Sequence, residues 1–181
     1  GVSMDVVKKN VESVGGVISI TSELGKGSCT TLKIPLTLAI VDGMEISVGN
    51  SIFTIPIANI RQSFKAEKES IILDASGNEI IKCMDEFYPI VRIHDLYNIE
   101  TDITNIEDGI LIWVEASDKS YCLFVDELLG EQQVVVKPLP AYLNNFNIKD
   151  SGISGCTILG DGNISIILDV LNLYLVSENQ Y

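Results

Sequence analysis

Apolar and polar positions alternate with a period of two along most of this chain. "AIVDGMEISV", "SIFTIPI", "SIIL", "EIIKCM", "YPIVRI", "GILIWVEA", "SYCLFV", "QQVVVKPL", "CTILG" and "ISIIL" each read as a short strand. Turn formers separate them: "GN" after Val48, then "DASGN", "ASDK" and "GDGN". About ten such strands in succession predict an all-β unit, built as one large barrel or two small ones. "SGNEIIKCM…YPIVRIHDLY" and "GDGNISIILDVLNLY" both run turn, strand and short helix, a weak internal echo that hints at duplication.

Helical spacing is confined to short pieces. "HDLYNI" and "DVLNLYLV" are two of them. The third opens the chain, where Met4, Val7, Val11 and Val14 form one apolar stripe and Lys8, Lys9 and Glu12 take the other face. Gly15-Gly16 predicts the stop, because glycine supplies the left-handed cap cheaply. "VISIT" and "CTTLKI" follow as a hairpin around "SELGKG", ending at Pro35. One helix and one hairpin cannot enclose a core, so this segment reads as the end of a larger α/β domain whose front lies upstream. On its own, the stripe is expected to fray or to pair with a second copy.

Composition sharpens this picture mainly through charge. The 181 residues carry a net charge of -13, with +1 up to Pro35 and -14 after it. So acidic a surface repels phosphate backbones, which argues against nucleic acid as a partner. No apolar run approaches the ~18 residues of a membrane span. The opening "DVVKKNVE" is charged where a secretory signal would be apolar. Cys29, Cys83, Cys122 and Cys156 show no CxxC spacing and read as four buried, reduced thiols of a cytoplasmic protein.

Candidate chemistry is sparse. His94, the one histidine, sits in "VRIHDLY" where a strand meets a short helix, and reads as structural, capping that helix with Asp95. "GDGNIS" sets Asp161, Asn163 and Ser165 at the alternating positions of a calcium loop. However, Ile166 stands where that loop needs glycine and Asn172 where it needs the bidentate Glu, so a hairpin turn is the better reading. Asn163 also begins a glycosylation sequon, without consequence in a cytoplasmic protein. With a single His and no G-x-S-x-G elbow, nucleophilic triads have no candidates. Ile52-Phe53 and Leu128-Leu129 are adjacent apolar pairs that offer possible surface contacts, with core burial the favoured reading of the first.

Three longer stretches resemble a known family. "GVSMDVVKKNVESVGGVISITSELGKGSCTTLKIPLTLAI" looks like the last third of a GHKL (Bergerat) ATP-binding domain. "FYPIVRIHDLY", "VDELLGEQQVVVKPL" and "GISGCTILGDGNISIILDVLNL" look like the CheW-like regulatory domain that follows it in CheA chemotaxis histidine kinases. The resemblance covers nearly the whole chain. It implies a mainly β fold of two SH3-like five-stranded barrels, preceded by a helix-plus-hairpin remnant of the α/β domain. The implied division is 1–37 for the remnant and 38–181 for the regulatory domain.

The same resemblance implies what the chain binds. Its partners would be a CheW-type adaptor, the cytoplasmic tips of chemoreceptors and the parent kinase domain. It would not insert into the membrane, but would work in the cytoplasm at receptor arrays on its inner face. Vestiges of the ATP site would be Gly1 and Ser3 before the helix, and Gly25, Gly27 and Ser28 in the hairpin turn. A helix N-terminus and nearby glycines suit an anion, but the family has a second glycine where Ser3 stands. The family's magnesium-binding Asn, adenine-reading Asp and phosphorylated His all belong upstream. Hence no cofactor is expected in this chain, ATP and magnesium belonging to the intact parent, and the chain alone is expected not to be a kinase. The alternative is a fragment that retains weak ATP binding.

Overall fold

The computed structural model describes residues 2–13, 15–34, 39–139 and 151–178. Helix α1 spans Val2–Ser13 and ends as the paired glycines require. Gly16 N–H donates to Val11 O at 2.9 Å and Gly15 N–H to Glu12 O at 3.0 Å, with Gly15 at φ 78. These two bonds satisfy carbonyls that the helix end would otherwise leave free. The apolar stripe is only partly covered. Val11 is buried, whereas Met4 and Val7 are each 38% exposed; Val14 lies outside the described residues. Strands β1 (Val17–Glu23) and β2 (Gly27–Lys33) pair antiparallel as a sheet of their own.

The remaining strands form two sheets, and the chain trades between them. The first holds β3 (Ile40–Val48), β4 (Ser51–Pro56), β11 (Glu127–Val135), β12 (Ile153–Ile158) and β13 (Ile164–Leu168), in the order β11-β3-β4-β13-β12. The second holds β5 (Ile60–Phe64), β6 (Ile71–Leu73), β7 (Glu79–Cys83), β8 (Glu86–Arg92), β9 (Ile110–Ala116) and β10 (Lys119–Val125), in the order β5-β9-β10-β8-β7-β6. Two short helices follow strands: α2 (Ile93–Leu96) follows β8, and α3 (Val170–Glu178) follows β13.

The two sheets repeat one plan. Hairpin β3–β4 corresponds to β9–β10, with Val48↔Ser51 at one tip and Ala116↔Lys119 at the other. A third strand adds parallel to each hairpin, β13 on β4 and β8 on β10, and a helix follows it. An antiparallel strand then flanks each, β12 and β7. At the opposite edge, β11 on β3 and β5 on β9 each carry a bulge, at Leu129 and at Arg61, and the two bulges fall at equivalent register positions. A closing piece completes each half. It is the three-residue β6 in the second sheet but only the Lys137↔Cys156 bridge in the first, which is why one sheet counts six strands and the other five.

The echo in the sequence is therefore real but differently aligned. Strand β8 with α2 matches β13 with α3, so the turn before β13 corresponds to Met84-Asp85 rather than to "DASGN". One strand was not expected, and one boundary differs from expectation. β5 lies in "IRQSF", and β11 begins at Glu127 rather than Gln132. Both are edge strands with one solvated flank, so neither shows clean alternation.

The largest apolar cluster joins the sheets face to face. Ile46, Val48, Phe53 and Ile55 of the first meet Ile112, Val114, Tyr121 and Leu123 of the second, with Val170 and Leu173 of α3. Phe53 is in this core, as expected, and Tyr121 OH donates to Val170 O at 2.6 Å. A second cluster fills the far side of the second sheet with Leu111, Trp113, Cys122 and Phe124. The far side of the first sheet is different: Thr54 Oγ1 and Ser165 Oγ donate to the two oxygens of Glu45, each at 2.6 Å, in full burial.

Candidate interaction surface

The residues expected from the resemblance to mark an ATP site sit on the first helix and hairpin. Ser3 lies in the first turn of α1, and Gly1 is outside the described residues. Gly25 (φ 78) and Gly27 (φ 105) shape the β1–β2 turn, closed by Lys26 N–H on Glu23 O at 3.0 Å. Both have open space where a side chain would be, so the backbone conformation rather than crowding calls for glycine. Ser28 follows on β2, all of whose residues are exposed. Among the described residues no hydrogen bond or ion pair joins Ser3 to this turn.

His94 does not cap its helix with Asp95. The N-cap of α2 is Arg92, without a side-chain bond. The imidazole is instead buried edge-on to Phe124 at 6.0 Å, with Nε2 3.4 Å from Asp95 Oδ1. In the "GDGN" turn Asp161 accepts from Asn163 N–H at 3.0 Å, as a hairpin turn does, and Ser165 points into the core. No group of His, Cys, Asp or Glu among the described residues could hold a metal. Burial pushes the Cys83, Cys122 and Cys156 thiols up, away from the reactive thiolate; Cys29, contrary to expectation, is exposed, because it lies on β2, whose residues are all exposed.

What the fold does assemble is surface. A groove of about 690 Å³ runs between the β7–β8 hairpin and α3. Asp74, Glu79, Asp95 and Glu178 line it together with Arg92 and Tyr174. Arg92 is already engaged: Glu79 takes it bidentately at 2.7 and 3.0 Å, and its guanidinium lies 5.0 Å from the Phe124 ring. The Glu79 hydrogen bond holds the Arg92 pKa above its ordinary value. Tyr174 OH donates to Glu178 at 2.6 Å, which raises the phenol's pKa.

Two further surfaces flank the second sheet. Ile72 and Phe87 are exposed on one face of the β6–β8 hairpins, and Met84 at the β7–β8 turn is 80% exposed in a left-handed position (φ 59). On the β5 edge, Arg61 stacks 5.2 Å above Trp113 and pairs with Glu115 at 2.5 Å. The equivalent edge of the first sheet shows Leu128 and Leu129 at 37% and 50% exposure.

Residues 42–176 match a family described as the CheW-like domain. The chain belongs to the CheW-like domain family. Among curated relatives, a "Chemotaxis protein CheA" of Klebsiella aerogenes is 36% identical over 180 residues, 99% of this chain and 27% of that one. A "Sensor histidine kinase CheAY" of Helicobacter pylori is 35% identical over 94% of this chain and 20% of its own length. The chain thus spans about a quarter of the curated relatives it matches, in their C-terminal part. The fold is similar to the scaffolding protein TtCheW of Thermoanaerobacter tengcongensis, with a TM-score of 0.59 at 17% identity, covering 72% of this chain and 89% of that one.

Within this CheW-like domain, sequence reasoning found every strand but β5, and not the groove, because residues 74–95 and 174–178 meet only in the folded chain. It singled out Leu128-Leu129 without placing it. The signal was there: two adjacent leucines followed by glycine break the period of two, which is how a bulge reads in sequence. Among the described residues no helix is long and apolar enough to cross a membrane.

Proposed function

We propose that this chain is the regulatory and scaffolding region of a CheA-like kinase, binding a CheW-type adaptor and chemoreceptor tips to couple receptor state to the kinase. The observation that carries this reading is the CheW-like match over residues 42–176, within relatives named CheA that align over nearly the entire chain. The partners would meet the barrel surfaces, at receptor arrays on the inner face of the membrane. Residues 38–181 would form the regulatory unit, and 1–37 the last part of the preceding ATP-binding domain. In that preceding domain Gly1, Ser3, Gly25, Gly27 and Ser28 would be remnants of the nucleotide site.

Calorimetric titration with the CheW-type adaptor of the same organism tests the reading. Binding at micromolar Kd or tighter is expected, roughly -8 kcal/mol. A folded adaptor that does not bind overturns it. A second titration addresses catalysis. If the chain holds no nucleotide of its own, millimolar magnesium-ATP leaves the melting temperature unmoved, whereas a rise would show the retained weak site.

A further inference from the structure

Two of the three buried thiols meet. Cys83 Sγ and Cys122 Sγ lie 3.8 Å apart inside the second half, among Leu111, Trp113 and Phe124. The two residues are 39 positions apart in the chain, and their strands are not neighbours, since β8 lies between β7 and β10. Cys156, the third, sits in the first half, where its thiol donates to Pro138 O. Sulfurs already in van der Waals contact need to close by only about 1.8 Å to reach the bond length of a disulfide. One of the pair has room to move. Cys83 pairs with Glu86 as the last rung before the β7–β8 turn, and the next residue, Met84, holds a left-handed conformation that is uncommon for a side chain of its kind. Cys122 is fully buried in the middle of β10.

We propose that Cys83 and Cys122 form a reversible disulfide, made by exchange with a low-molecular-weight disulfide, that ties β7 to β10 across the interior of the second half. Cys83 reacts first. It is 7% exposed beside the turn, whereas Cys122 has no exposure at all. Burial raises both thiols, but at Cys83 the hydrogen bond with Cys122 works against it, while at Cys122 the nearness of Cys83 adds to it. The Cys83 thiolate attacks one sulfur of the small disulfide, whose S–S bond breaks and releases a small thiolate. The Cys122 thiolate then attacks Cys83 Sγ, and the second small thiolate leaves. Two protein thiols thus give up two electrons, the small disulfide takes them, and the two thiol protons end on the small thiols. In a reducing compartment such a bond is transient and redox-sensing rather than structural. Its consequence is local. Glu79, Ile80, Pro89 and Arg92 line the groove beside α3, so the bond would hold one wall of that groove to the sheet.

The test uses the whole folded chain with Cys29→Ser, a change at an exposed position of β2, and oxidised glutathione as the probe. After quenching and alkylation, peptide mapping should find Cys83 joined to Cys122, both protected from alkylation together and both released by dithiothreitol, with Cys156 left free. Cys122→Ser should stop at a glutathione adduct on Cys83, and Cys83→Ser should leave Cys122 unmodified. The oxidised chain should show a higher urea midpoint and slower hydrogen exchange at 79–83. A lasting glutathione adduct on Cys83 beside a free Cys122 would overturn the proposal. So would no reaction at Cys83 under conditions in which Cys29 of the wild-type chain is fully modified. Capture of Cys156 as often as Cys83 would overturn it as well, since that pattern reports unfolding of the whole chain rather than a bond made in the folded one.

Discussion

The two halves of this molecule share a plan and differ in what they bury. Glu45, Thr54, Ser165 and Thr157 face the interior of the first half. Register places Trp113, Cys122, Tyr88 and Ile81 at the matching positions of the second. There Tyr88 and Trp113 pack at 5.2 Å and Cys122 is fully buried. One fold thus tolerates a hydrogen-bonded interior in one copy and an aromatic one in the other. The polar groups of the first interior bond to one another, whereas in the second Trp113 Nε1 is buried without a hydrogen-bond partner, a cost the first interior avoids at these positions. The turns show a similar divergence. Gly49 (φ 58) is obligatory because a Cβ there would lie 2.3 Å from Glu100 O, while Ser117 (φ 56) accepts the same conformation at the matching tip.

The largest effect should come from breaking the aromatic half. Trp113→Ala is expected to cost about 3–5 kcal/mol, read as a lower urea midpoint at unchanged slope. The polar half should respond differently. Ser165→Ala removes one donor to Glu45 and should cost about 1–3 kcal/mol, and adding Thr54→Val should cost more than that. Adding Glu45→Leu to both should then recover most of the loss, since no polar group remains unpaired. If the triple variant is the least stable of the series, the interior depends on that network in a way the second half does not.

Smaller differences sit on the surface. Arg61→Ala loses a stacked, solvated ion pair and should cost about 0.5–1 kcal/mol by the same denaturation measurement. Asp74 gives the smallest effect. The Asn78 backbone N–H holds its carboxyl below the ordinary range, with further help from the Ser76 and Gly77 amides against slight desolvation. A depressed folded pKa stabilises above the unfolded value of about 4 and loses that contribution as pH falls through the folded one. The stability gap between wild type and Asp74→Ala should therefore be present at neutral pH and close in acid below about pH 4.

Alternation alone made the β class legible, because a strand with one buried face must repeat every second residue. The same local rules placed the Gly15-Gly16 stop and the "GN", "ASDK" and "GDGN" turns, each set by the conformations glycine, asparagine and aspartate allow. Resemblance, not pattern, selected two barrels from the alternatives. The rest depended on contacts between distant segments. That Glu45 lies beside Ser165 is invisible to any local pattern, and an acidic residue inside an alternating strand looks like a solvent-facing one. The edges β5 and β11 escaped notice or were misplaced because half their surroundings are water. Sequence by itself determined which residues could form strands, turns and caps, through short-range sterics and periodicity. Only the tertiary structure determined which strands became neighbours and which edges stayed open, because pairing partners far apart in the chain meet only when the whole sheet closes.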